Sequence, residues 1–121
     1  MDENHATLES LTRRLIAFRD ARDWRQFHSM KNLIISLNLE AAELMELTQW
    51  KSAEAFESDI NTETGKARIA EECADVFLYL LLIAERTGLD LTKIAEAKMA
   101  INEQKYPVEK ARGNAIKYTD L

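Results

Sequence analysis

A chain of 121 residues suits a single domain, expected to span 1–121, and is long enough to bury a real core. Its 16 Ala and 15 Leu, against three Gly, one Pro and two Val, favour helix and argue against sheet. A net charge of −5 argues against nucleic acid or an anionic membrane as partner.

The N-terminal "MDENHATLES" is polar and acidic, with no apolar signal region. The longest apolar stretch, Val76 to Ala84, falls far short of the ~20 residues that a membrane span needs, so a cytoplasmic location is expected. Leu8, Leu11, Leu15 and Phe18 recur at helical spacing and mark a first helix, about Thr7 to Asp20. "ARDWRQFHS" breaks that pattern and reads as a connection. Ser29 can cap a second helix running to about Trp50. "KSAEAFESDINTETG" is polar with weak periodicity and reads as a loop with room for a short helical turn. A third helix is expected from near Lys66 to Gly88, and a fourth from about Leu91 to Tyr106, capped by Asp90 and ended by Pro107. The tail, residues 107–121, is low in apolar content and is expected to lie extended over a neighbour or to be partly mobile. The expected fold is therefore all-α, a bundle of four to five helices.

The third helix is apolar on nearly every side, through Val76, Phe77, Leu78, Leu80, Leu81, Leu82 and Ile83. A helix of that kind is surrounded by protein, and four helices cannot easily surround one of their own. A second copy is implied, as a dimer or a dimer of dimers. Cys73, in the same stretch, reads as a reduced core thiol.

The second helix carries an anomaly. At 100° per residue, Leu33, Leu37, Leu44 and Leu47 fall within about 80° of one another, and Glu40 lies in the middle of their stripe with Glu43 on its flank. A buried carboxylate without a partner takes up a proton rather than stay charged. The third helix repeats the device with Asp75 and an acid one turn before it. Helical angle leaves Glu71 and Glu72 both open for that role. Two interior helices presenting such pairs would gather four carboxylates, which repel unless a divalent cation joins them. The donors are hard oxygens with no His or Cys at useful spacing, which points to Mg²⁺ or Mn²⁺ over zinc or copper. Iron is disfavoured because neither His5 nor His28 stands in a Glu-x-x-His pair. Glu46, one turn beyond Glu43, extends the ridge as an outer ligand, a base or a solvated residue.

Magnesium held by carboxylates completes its shell with water and substrate phosphates. Lys98, Asn102 and Lys105 share one face of the fourth helix within about 60° and could meet those phosphates; lysines snorkelling past a core edge would look the same. Trp24, Phe27, His28, Trp50 and Tyr79 supply flat groups able to hold a nucleobase.

From about Trp24 onward, "FHSMKNL", "EAAELMELTQWK", "EECADVFLYLL", "KMAINEQKYP" and "PVEKARGNAIKYT" stand in an order that resembles the MazG-like all-α nucleoside triphosphate pyrophosphohydrolases, in their small dCTP pyrophosphatase branch. The family's E-x-x-E and E-x-x-D pairs correspond to Glu40, Glu43, Glu72 and Asp75, so the resemblance selects Glu72 over Glu71. It implies that these four bind Mg²⁺, which bridges a triphosphate. It also implies that Lys98 and Asn102 contact phosphates or sugar with Lys105 and Tyr106 behind them, that His28, Trp50 and Tyr79 line the nucleotide pocket, and that Trp24 lies near the sugar and base. Met30 and Thr48 depart from the family pattern, which commonly has Pro and Phe there. The implied activity is Mg²⁺-dependent hydrolysis of a nucleoside triphosphate, dCTP or a modified pyrimidine nucleotide, to the monophosphate and pyrophosphate, for pool cleansing by a homodimer or homotetramer. Glu43 or Glu46 would activate the water. The rivals are the same chemistry on dATP, dUTP or phosphoribosyl-ATP, and a non-catalytic helical adaptor.

Overall fold

The computed structural model describes residues 5–121; the first four residues of the polar N-terminal segment lie outside that range. Among the described residues there are helices and no strand, in agreement with the expected class. Helix α1 spans Leu8–Ala21. Its start is fixed by a reciprocal cap: the Thr7 hydroxyl accepts the Ser10 N–H at 3.1 Å, and the Ser10 hydroxyl accepts the Thr7 N–H at 2.8 Å. The chain then turns through Asp23, at φ 53°, and the Trp24 N–H returns to the Arg19 carbonyl at 3.1 Å. A 3₁₀ turn at Arg25–Phe27 leads into α2, Met30–Glu46, capped by Ser29 as expected.

Helix α2 ends four residues before Trp50, earlier than its apolar spacing suggests. The Thr48 hydroxyl donates to the Met45 carbonyl at 2.7 Å, and Trp50 sits in the left-handed region at φ 65°. The segment expected to be a loop contains α3, Ala53–Asp59, with the Ser52 hydroxyl accepting the Ala55 N–H. Helix α4, Glu63–Thr87, begins three residues before Lys66. The Thr62 hydroxyl accepts the Gly65 N–H at 3.0 Å there, and Gly65 is required by close approach: a Cβ would lie 1.9 Å from the Asp59 carbonyl oxygen. Gly88, at φ 70°, ends α4 as expected.

Helix α5, Leu91–Lys105, starts on an Asp90 cap that accepts the Lys93 N–H. The tail differs from its reading as extended chain: it contains the short helix α6, Val108–Ala111, and a 3₁₀ turn at Tyr118–Asp120. Tyr118 of the tail packs edge-on against Tyr106, the residue that ends α5, at 5.9 Å.

Two compact units are distinguished, Met1–Thr87 and Gly88–Leu121. In the first, α2 lies along α4 in the most extensive helix contact, and α1 and α3 pack on α4 as well. The core comprises Leu33 of α2 and Leu81, Leu82 and Ala84 of α4. Full burial on α4 is thus confined to its C-terminal part. Cys73 precedes that part and is exposed, which corrects its reading as a core thiol.

Candidate active site

The α2–α4 contact sets the geometry. Glu40 and Glu43 stand one turn apart on α2, Glu72 and Asp75 one turn apart on α4, and each offers a carboxylate oxygen within 4.8 Å of the others. The Glu71/Glu72 ambiguity is resolved by packing: Glu72 joins the cluster and Glu71 is exposed. None of the four ion pairs among the described residues involves these acids. Glu40 Oε2 and Glu72 Oε2 are enclosed and lack any hydrogen-bond partner.

Such a cluster is electrostatically unfavourable by itself. Burial pushes the Glu40 carboxyl above the ordinary carboxylate range, and Glu43 and Asp75 push it the same way. Burial again leads for Glu72, followed by Glu43, Asp75 and Glu71. Four converging carboxylates, two of them carrying an orphaned oxygen, with no nitrogen or sulfur donor among them, fit a hard divalent cation.

Beside the acids lies an apolar cavity of about 140 Å³. Helix α1 contributes Leu15, Phe18 and Arg19, the connection contributes Trp24 and His28, and α4 contributes Asp75, Leu78, Tyr79 and Leu82. Tyr79 follows Asp75 by one turn, and Asp75 belongs to both cluster and cavity. The Asp23 turn brings the Trp24 ring edge-on to Phe18 at 5.7 Å, and Arg22 stacks its guanidinium 3.7 Å from the Phe18 ring centre. The Arg86 guanidinium donates to the His28 carbonyl at 3.0 Å and fixes the connection against α4. Burial, and after it the charge of Arg19, hold the His28 imidazole below its ordinary pKa, and its enclosed Nδ1 has no partner.

Glu46 is exposed and lines a different cavity, of about 430 Å³, with Lys51, Asp59, Thr62 and Arg68. Lys51 is paired with Asp59. Trp50 lines neither cavity in this chain and is 94% exposed. Lys98, Asn102, Lys105 and Tyr106 belong to the second unit. There Lys98 and Asn102 are exposed, and the Lys105 ammonium lies 4.6 Å from the Tyr118 ring centre.

Sequence reasoning missed Arg19 and Phe18. Arg19 had a signal: four residues after Leu15, it falls on the apolar stripe of α1 as Glu40 does on that of α2. Phe18 was counted in the first helix and not connected to the aromatic set.

The sequence matches the MazG-like family over residues 35–121. The chain is similar to dCTP pyrophosphatase 1 of Rattus norvegicus, 43% identical over 115 residues that span 95% of this chain and 68% of the relative. The Homo sapiens dCTP pyrophosphatase 1 is 39% identical over the same shares. A pyrophosphatase structure from Archaeoglobus fulgidus aligns with a TM-score of 0.77 at 36% identity, covering 88% of this chain and 98% of that one. Likeness in sequence and likeness in fold thus agree with the chemistry that the acid cluster permits, and the chain belongs to the MazG-like family as a nucleoside triphosphate pyrophosphohydrolase.

Proposed function

We propose that the chain hydrolyses a pyrimidine deoxynucleoside triphosphate, dCTP or a modified form of it, to the monophosphate and pyrophosphate in a Mg²⁺-dependent reaction, Mn²⁺ substituting. The single observation that carries this reading is the convergence of Glu40, Glu43, Glu72 and Asp75 within 4.8 Å with no ion-pair partner among the described residues. An adaptor would gain stability from leucine at position 40. The substrate's base is favoured by the relatives' activity on dCTP and by the ring-walled cavity that shares Asp75 with the cluster.

Bound by the four acids, Mg²⁺ would neutralise the phosphates and lower the pKa of a water molecule. Trp24, His28 and Tyr79 hold the base in the cavity and direct the α-phosphate toward Asp75. Glu43, the exposed member of the cluster, accepts the proton of the attacking water; Glu46 is the alternative. The water oxygen bonds to the α-phosphorus, the bond to the bridging oxygen breaks, and pyrophosphate leaves with both electrons of that bond. Lys98, Asn102, Lys105 and Tyr106 are proposed to meet the phosphates and sugar, and Trp50 to close over the nucleotide. A homo-oligomer is proposed as the working form. It is supported by exposed apolar side chains on α2 and α4, Leu39 at 61%, Met45 at 66% and Leu80 at 38%. No helix among the described residues is long and apolar enough to cross a membrane; a cytoplasmic role in cleansing the nucleotide pool is proposed.

The test is a panel of common and modified dNTPs incubated with Mg²⁺ and analysed for products. Equimolar dCMP and pyrophosphate from dCTP support the reading. Orthophosphate as the product, or no product from any triphosphate, overturns it.

A further inference from the structure

Arg19 is the buried charged side chain among the described residues, 4% exposed. It occupies the leucine stripe of α1, where an aliphatic residue would pack without any desolvation cost. Its donors are only partly used. Nε donates to Asp20 Oδ1 at 2.9 Å, and Nη1 reaches Glu85 Oε2 at 3.5 Å. Nη2 has no hydrogen-bond partner among the described residues and is not one of the fully enclosed orphan atoms, so it keeps some accessible surface. Arg19 is also one of the residues lining the small apolar cavity walled by Trp24 and Tyr79.

Charge and size indicate what belongs there. Two carboxylates already balance the guanidinium, so the remaining donor suits a neutral acceptor better than an anion. At about 140 Å³ the cavity is well below the roughly 300 Å³ at which pockets hold a whole small ligand. It takes one ring and leaves sugar and phosphates outside, beside Asp75. We propose that Nη2 of Arg19 donates a hydrogen bond to the C2 carbonyl oxygen of a pyrimidine base seated in this cavity, which makes Arg19 a specificity-determining residue. The inference rests on the nucleotide reading above. Cytosine, uracil and thymine all carry that oxygen and adenine carries none, so Arg19 separates pyrimidines from adenine and not one pyrimidine from another. A strap joining α1 to α4 would account for the contacts with Asp20 and Glu85. It leaves unexplained an unused donor on a side chain that lines an aromatic-walled cavity.

The experiment pairs a change in the protein with a change in the base. kcat/KM is measured for dCTP and for 2-thio-dCTP, whose sulfur is the weaker acceptor, with the unaltered chain, Arg19→Met and Arg19→Lys. The unaltered chain should lose about ten-fold on the thio substrate. Arg19→Met should be about ten-fold poorer on dCTP and should treat the two substrates within about two-fold of each other. Arg19→Lys retains the charge opposite Asp20 and Glu85 and provides the same comparison if the Met variant does not fold. A thio penalty that is absent from the unaltered chain, or unchanged in the variants, overturns the proposal while dCTP turnover stands. No pyrophosphate from any triphosphate removes the nucleotide reading and this inference with it.

Discussion

The acid cluster and the cavity beside it are built by the same device with opposite outcomes. In each, a helix places a charged residue on its apolar stripe, Glu40 on α2 and Arg19 on α1. Arg19 has its charge answered by Asp20 and Glu85, so its site is complete without a counter-ion. Glu40 is answered only by more acid, so its site calls for an ion from outside. The buried charge beside the cavity is balanced within the protein, and the one in the cluster is not.

Breaking the acid side should have the largest effect. Asp75→Asn should lower pyrophosphate release from dCTP by on the order of 10³-fold, measured at saturating Mg²⁺. Because the cluster opposes folding without metal, Glu40→Gln should abolish most turnover and yet raise the midpoint of thermal unfolding in EDTA by roughly 3–5 °C. A fall in that midpoint would mean that Glu40 is a structural partner.

The ring-walled side should respond less, and mainly in binding. Trp24→Ala should raise KM for dCTP about ten-fold with a smaller change in kcat, because stacking on one aromatic contributes about 1–3 kcal/mol per base. Equal losses in kcat and in kcat/KM would place Trp24 in the chemical step instead.

Titration distinguishes the two regions further. The Glu40 and Glu72 pKa values are raised in the folded chain, so the native state holds protons that the unfolded state has released. Their contribution to stability is complete below the ordinary value of 4.5 and is lost as pH rises through their folded values. Mg²⁺ should remove that slope, so the difference between unfolding midpoints in Mg²⁺ and in EDTA should grow with pH. The smallest effect belongs to His28, whose pKa is lowered from its ordinary 6.5 by burial and then by the charge of Arg19. Its contribution is present above that value and fades as pH falls through the lowered folded one. By NMR, its titration midpoint should rise toward 6.5 in Arg19→Met.

Legibility followed the same division. The N-caps Ser29 and Asp90 announced α2 and α5, because a hydroxyl or carboxylate before an apolar period is a local signal, and leucine spacing announced α1. The interruption after Glu46 escaped because it depends on the left-handed Trp50 and the Thr48 side chain, which apolar spacing does not register. Helix α3 escaped because seven residues show too little periodicity, although the Ser52 cap was available. Glu40 was found by asking which charged residue violated a stripe. Arg19 satisfies the same criterion on α1. The choice between Glu71 and Glu72 needed packing or a family resemblance, since their helical angles are nearly equivalent. The exposure of Trp50 depends on packing that the order of residues does not record.

The most direct measurement is Mn²⁺ binding to the nucleotide-free protein, followed by the loss of the free-ion EPR signal on titration, for the unaltered chain and for Asp75→Asn. Saturable binding that weakens at least about ten-fold in the variant is the expected result. Equal uptake by both proteins, or none by either, would contradict a cluster assembled to hold a divalent cation.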